Sequence, residues 1–205
     1  MTADWYLLRA SGIVTLLLLT LVVALGVATT NRFRPRGLPL FVTTQVHRNA
    51  SLLAVVFMAI HVVTTVVDPQ ASVQLAATVV PFVSRWAPFW VGLGALALDL
   101  VAAVVVTSLV RKHLAYRLWR GIHWTAYAAW PLALVHGIGA GSDAGTEWLR
   151  AVNVVCIVLV GAALVWRVLE LEEPAPTHSG FTATRPELSD DSQLSLARWG
   201  RERDA

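Results

Sequence analysis

A chain of 205 residues that is 56% hydrophobic and only 14% charged does not have the composition of an ordinary water-soluble domain. Its net charge of +3 conceals an uneven distribution, because residues 1–169 carry a net +7 and residues 170–205 a net −4. The basic excess belongs to the apolar part of the chain. There it indicates membrane topology, and no nucleic-acid partner is expected.

Five apolar segments are predicted to be transmembrane helices, because each approaches or exceeds the roughly 18–20 residues that cross about 30 Å of hydrocarbon. In chain order they are Trp5–Ala28, Phe41–Val67, Phe89–Val110, Leu118–Ile138 and Val152–Leu169. Asp68–Pro88 is apolar near Leu75–Val83 but too short to span, so it is predicted to be interfacial or re-entrant. The predicted fold is an all-α integral membrane bundle over residues 1–169.

The distribution of Lys and Arg predicts the orientation of this bundle. The segments Arg32–Arg48 and Arg111–Arg120 hold four basic residues each, whereas the opposite ends of the spans hold only Arg9, Arg85 and Arg150. By the positive-inside rule, the N-terminus lies outside and the C-terminus is cytoplasmic, as expected of a multi-pass protein of the cell membrane. The polar residues 170–205 are predicted to be a disordered cytoplasmic tail.

Four of the six histidines lie in two of the predicted spans, where an imidazole is costly unless it has a partner. His47 and His61 are 14 residues apart on the second span. His123 and His136 are 13 apart on the fourth. These steps correspond to about 21 and 19.5 Å of helix, so each span places one histidine in each leaflet.

The two histidine-bearing spans should run in the same direction, because one span separates them. His47 is then level with His123, and His61 is level with His136. Neutral imidazoles that face each other across a bundle can bind a planar iron macrocycle from both sides. The pattern therefore predicts two b-type haems, one above the other.

Helical phase requires a deformation of the fourth span, since 13 residues leave its two histidines about 140° apart on an ideal helix. Pro131 lies between them and removes a backbone donor to the carbonyl of Tyr127. We expect the helix to change phase there. If Asp68–Pro88 crossed the membrane instead, the two histidine-bearing spans would be antiparallel. His47 would then pair with His136, and His61 with His123.

Three arginines are predicted partners for the anionic haem propionates: Arg48 next to His47, and Arg9 and Arg85 on the outer side. Two other functions are compatible with the same histidines. One is a respiratory cytochrome b subunit that takes electrons from quinol. The other is a non-redox membrane module, such as a transporter component or scaffold, whose histidines relay protons.

The paired histidines resemble the ferric reductase-like transmembrane domain, which is shared by ferric reductases, NADPH oxidases and the membrane subunit of a bacterial methionine-sulfoxide repair system. The resemblance covers about Trp5–Leu169, and the segment Arg9-Ala10-Ser11-Gly12 is similar to an Arg and Gly signature of that family. It implies two haems, bound by His47 with His123 and by His61 with His136, and electrons that move outward. Because only 36 residues follow Leu169, it also implies a separate cytoplasmic flavoprotein or other reductase as electron donor.

Overall fold

A computed structural model describes residues 3–30, 40–69, 71–141 and 145–172, and these described residues contain helices and no strands. Residues 1–172 form one compact unit. The predicted disordered tail lies almost entirely outside the described residues. The described residues form seven α-helices: α1 Ala3–Thr30, α2 Leu40–Val67, α3 Leu75–Val79, α4 Pro88–Leu109, α5 Tyr116–Trp124, α6 Ala126–Ala140 and α7 Glu147–Glu172.

Four of these helices are long and apolar enough to cross a membrane: Trp5–Thr30, Phe41–Val67, Pro88–Leu109 and Glu147–Leu169. They correspond to the first, second, third and fifth predicted spans. The protein is therefore a multi-pass membrane protein. Many of their large apolar side chains are exposed, among them Leu53, Val63, Val106, Val158 and Leu159, so the surface they form is suited to lipid and makes the bilayer a partner of the chain.

The fourth predicted span is not one continuous helix, and in this respect the prediction of five single helices is not confirmed. The chain folds there as α5 and α6, which are separated at Thr125. The backbone N–H of Thr125 donates to the carbonyl of Ile122 at 3.0 Å, and its hydroxyl donates to the same oxygen at 2.7 Å. This tightened turn ends α5, as back-bonding threonines often bend helices.

The helix is interrupted at Thr125, whereas Pro131, where the deformation was expected, is inside α6, which continues past it to Ala140. A proline removes one backbone hydrogen bond but does not have to end a helix when the flanking turns stay bonded. Among the described residues between Asp68 and Ala87, in the segment predicted to be interfacial or re-entrant, the one helix is the five-residue α3, which is too short to span a bilayer.

Helix α1 is the centre of the bundle and contacts α2, α6 and α7, while α4 packs against α3, α5 and α6. The main buried cluster lies among these helices and includes Leu16, Leu19, Val23, Ala54, Trp130, Leu134, Cys156 and Val160. Cys156 is fully buried, as a small core residue should be. The ring N–H of Trp130 donates to the hydroxyl of Thr20 at 2.9 Å, which links α6 to α1 through a buried polar contact.

The Trp130–Thr20 contact makes a testable contribution to stability. We expect Trp130→Phe and Thr20→Val each to destabilise the bundle in detergent, and the double variant to lose less than the two single variants together. Hydrogen bonds between membrane helices show coupling of about 0.6 kcal/mol and at most about 1.7 kcal/mol. Thermal unfolding followed by circular dichroism measures the stability of the single and double variants, and their comparison gives the coupling energy. Strictly additive losses would show that the two side chains are not coupled.

Candidate functional site

The four histidines that were predicted to lie in the membrane meet in two pairs. The ring centroids of His47 and His123 are 6.4 Å apart, with their planes at 64°. Those of His61 and His136 are 6.3 Å apart, with their planes at 75°. These are the pairs expected for like-directed helices, so α2 runs parallel to the α5–α6 segment and the swapped pairing is not seen.

The spacing within each pair matches two ligands on opposite sides of one metal ion. A metal–imidazole bond is about 2 Å long, and ring bonds near 1.3 Å place the centroid roughly 1.1 Å behind the nitrogen. Two imidazoles on one iron would then have centroids roughly 6 Å apart. Among the described residues no three His, Cys, Asp or Glu side chains cluster around a common point. The two histidines of each pair could supply both protein ligands of a six-coordinate porphyrin iron.

Three of the four rings have their second nitrogen bound to a backbone carbonyl. Nδ1 of His47 lies 3.1 Å from the oxygen of Val22. Nδ1 of His61 is 3.0 Å from that of Leu8, and Nδ1 of His136 is 2.8 Å from that of Trp90. A carbonyl can only accept, so Nδ1 carries the proton in each case and Nε2 keeps the lone pair that a metal needs.

A glycine lies beside each of these three rings, four residues after the carbonyl that the ring binds. The pairs of carbonyl and glycine are Leu8 and Gly12, Val22 and Gly26, and Trp90 and Gly94. A Cβ on Gly12 would lie 2.9 Å from Cε1 of His61, and one on Gly94 would lie 2.7 Å from Cε1 of His136. We call each such carbonyl with its glycine a carbonyl anchor.

The anchors have a physical explanation in helix geometry. The carbonyl of residue i already accepts from the N–H of residue i+4, so a ring that shares this oxygen must pass close to residue i+4. A missing Cβ allows that approach at Gly12 and Gly94, whereas a Cβ at Gly26 would only make an ordinary contact with His47. Gly12 and Gly26 on α1 are 14 residues apart, as are His61 and His47 on the antiparallel helix α2. This matching glycine spacing is visible in the sequence and is the signal that could have identified the anchors on α1.

His123 is the exception among the four. Its Nδ1 is buried and has no hydrogen-bond partner in the part of the chain that the structure describes. Instead, the ring of Trp119 stacks on it with centroids 5.0 Å apart and planes at 27°.

A cavity of about 400 Å³ surrounds the pair His61 and His136, within the usual size range of cofactor pockets. Most of its wall is apolar and comes from α1, α2, α4 and α6. Arg9, Thr15, Asp68 and Asn153 add polar groups. Asp68 is only 2% exposed, so this wall carries a buried carboxyl group as well as a basic side chain.

The three arginines predicted to bind propionates lie in different surroundings. Arg9 is half-buried and lines the cavity beside His61, with its guanidinium 5.3 Å from the ring centroid of Trp5. Arg48 and Arg85 are exposed, and neither lines this cavity. Binding of haem propionates stays a prediction for all three arginines. Of the three, only Arg9 lines the cavity that contains His61 and His136.

The residues therefore fit a bis-histidine haem in ligand number, ring spacing and tautomer.

The family model described as ferric reductase like transmembrane component matches residues 11–134, which is more than half of the chain. The match includes His47, His61 and His123 and ends two residues before His136. Neither a curated protein nor a solved structure matches the chain.

The glycines allow a matched test of the anchors. We expect Gly12→Ala to displace the ring of His61 and to reduce bound haem from two per chain to about one, because its new Cβ would lie too close to the imidazole. Gly26→Ala is the control, since its Cβ would lie 3.5 Å from Cε1 of His47, an ordinary contact. Haem content per purified chain is the measurement. Full haem in the Gly12→Ala protein would refute the role of this anchor.

Proposed function

The chain belongs to the ferric reductase like transmembrane family, and on that premise we propose that it transfers electrons across the cell membrane through two bis-histidine b haems. One observation supports this above all others: two histidine pairs at single-metal spacing, one above the other along α2 and the α5–α6 segment. A proton relay would not require both pairs to have the centroid distance that two imidazoles on one metal ion would have.

The proposed ligands are Nε2 of His47 and His123 in one site, and Nε2 of His61 and His136 in the other. Their separation along α2 is 14 residues, or about 21 Å. Bound haem supplies iron that alternates between the ferric and ferrous states, so that one electron moves at a time. The helices hold the two histidine pairs at two different depths, and the apolar residues between the pairs give a low dielectric constant there.

The α5–α6 segment is proposed to cross the membrane as the fourth of five spans in chain order. The two helices with Thr125 between them extend roughly 37 Å at 1.5 Å per residue, enough for a hydrocarbon core of about 30 Å. With the basic segment Arg111–Arg120 on the cytoplasmic side, the N-terminus lies outside. His47 and His123 are then the inner pair, and His61 and His136 the outer pair.

The direction proposed is outward, from a separate cytoplasmic flavoprotein or other reductase. For each electron, the donor is oxidised by one electron and an acceptor on the outer side is reduced by one. Two histidines per iron leave no coordination position for a substrate, so the acceptor would receive its electron at the edge of the outer site. The cavity beside Arg9 lies at that end of the bundle.

A redox-titrated visible spectrum with iron analysis tests this function on the full chain purified after expression with added haem. We expect two haems per chain and a low-spin reduced-minus-oxidised spectrum. His47→Ala and His61→Ala should each remove about one haem of the two. His113→Ala is the matched control, because His113 is exposed in the 3₁₀ turn Arg111–His113, and it should retain both haems.

The outcomes distinguish the alternatives. Absence of haem bands would refute the redox function and leave a membrane module. One haem per chain would contradict a transmembrane path. Reduction by a quinol in detergent, faster than by a reduced flavoprotein, would assign the chain to quinol-linked electron transfer.

A further inference from the structure

His123 differs from the other three histidines because α4 offers it no carbonyl anchor. On α4, which is antiparallel to α6, the carbonyl of Trp90 binds His136. His123 lies 13 residues before His136, so it is level with the second half of α4. There the ring N–H of Trp119 contacts the hydroxyl of Ser108 at 3.5 Å.

The two glycines of α4, Gly92 and Gly94, lie within its first two turns. The half of α4 that is level with His123 has a side chain at every position, so no glycine there leaves a carbonyl open to an imidazole. This agrees with the buried Nδ1 of His123, which has no hydrogen-bond partner among the described residues.

An aromatic stack lies against His123 where the other rings have an anchor. Trp119, one helical turn earlier, places its ring on the imidazole at 5.0 Å. On Trp119, in turn, lies the guanidinium of Arg111, 4.0 Å from the ring centroid. Tyr116 is the next aromatic neighbour of Trp119, at 6.0 Å. A cation on an aromatic face restricts the ring beneath it, so Trp119 is held in the orientation that stacks on His123.

We propose that Trp119 is the positioning residue of His123, and that it replaces the carbonyl anchor that each of the other three histidines has. The inference rests on the proposed function. It implies that the two haem sites are unequal, because a ligand whose Nδ1–H has no acceptor is a weaker donor to iron. The ligand that is displaced first should therefore be His123, and the inner site should respond to changes around it while the outer site does not.

Trp119→Leu tests the positioning role in the full-length protein. Carbon monoxide binds reduced haem only where an axial ligand has left, and we expect the variant to expose about one of its two haems to carbon monoxide, against almost none in the unmodified chain. Trp119→Phe keeps a stacking ring and should stay closed. Trp124→Leu is the control, because Trp124 is exposed on the same helix and lies near Arg120 and Arg167.

Arg111 provides an independent test, because its guanidinium lies on the ring of Trp119. Arg111→Gln removes this cation and should loosen the stack, so we expect carbon monoxide binding between that of the unmodified chain and that of Trp119→Leu. Arg120→Gln is its control, because the guanidinium of Arg120 lies 5.5 Å from the ring centroid of Trp124.

Each outcome decides the inference. Carbon monoxide binding in Trp119→Leu that equals that of Trp124→Leu would overturn it. If Trp119→Leu does not accumulate in membranes, carbon monoxide binding in Arg111→Gln that equals that of Arg120→Gln would overturn it. A natural chain without haem refutes the proposed function and this inference together, whereas a natural chain with two haems that fails either test refutes only the role of Trp119.

Discussion

An imidazole inside a bilayer needs a partner for each of its two nitrogens, and this constraint accounts for most of the bundle's architecture. Water is absent from the hydrocarbon region, so an unpaired polar atom is costly there. In three of the four rings, a helix carbonyl accepts from Nδ1 and leaves Nε2 with its lone pair. Nε2 then also needs a partner in the hydrocarbon region. A metal ion bound between the two rings would provide that partner for both histidines of a pair.

The same constraint determines which residues lie on the neighbouring helices. Each anchored ring needs a carbonyl and a close approach to the following turn, which explains why glycines at 14-residue spacing on α1 match histidines at 14-residue spacing on α2. The buried cluster lies between the two levels. Ala54 is seven residues from both histidines of α2, and Trp130 lies between those of the α5–α6 segment. The packing that joins α1, α2 and α6 thus also sets the distance between the two pairs.

The sequence alone was enough to predict the pairing, because it depends on two simple quantities. Spacings of 14 and 13 residues place histidines at two depths, and one intervening span makes their helices parallel; the observed pairs agree. The positions of four spans also followed from apolar length. Both properties belong to single segments or to their order, so neither required knowledge of side-chain contacts.

What the sequence could not supply were features that depend on the register between helices. Pro131 was the visible helix breaker, but the interruption lies at Thr125, where a hydroxyl and an amide share one carbonyl. The role of Gly94 emerges only when Trp90 is known to lie opposite His136.

The surroundings of the two pairs are not equivalent. Gly94 opens the carbonyl of Trp90 to the imidazole of His136, whereas His123 has the ring of Trp119 against it and no partner for Nδ1 among the described residues. Two pairs of like ligands can therefore differ chemically because of one carbonyl and one aromatic ring, since the histidines themselves are of the same kind in both pairs.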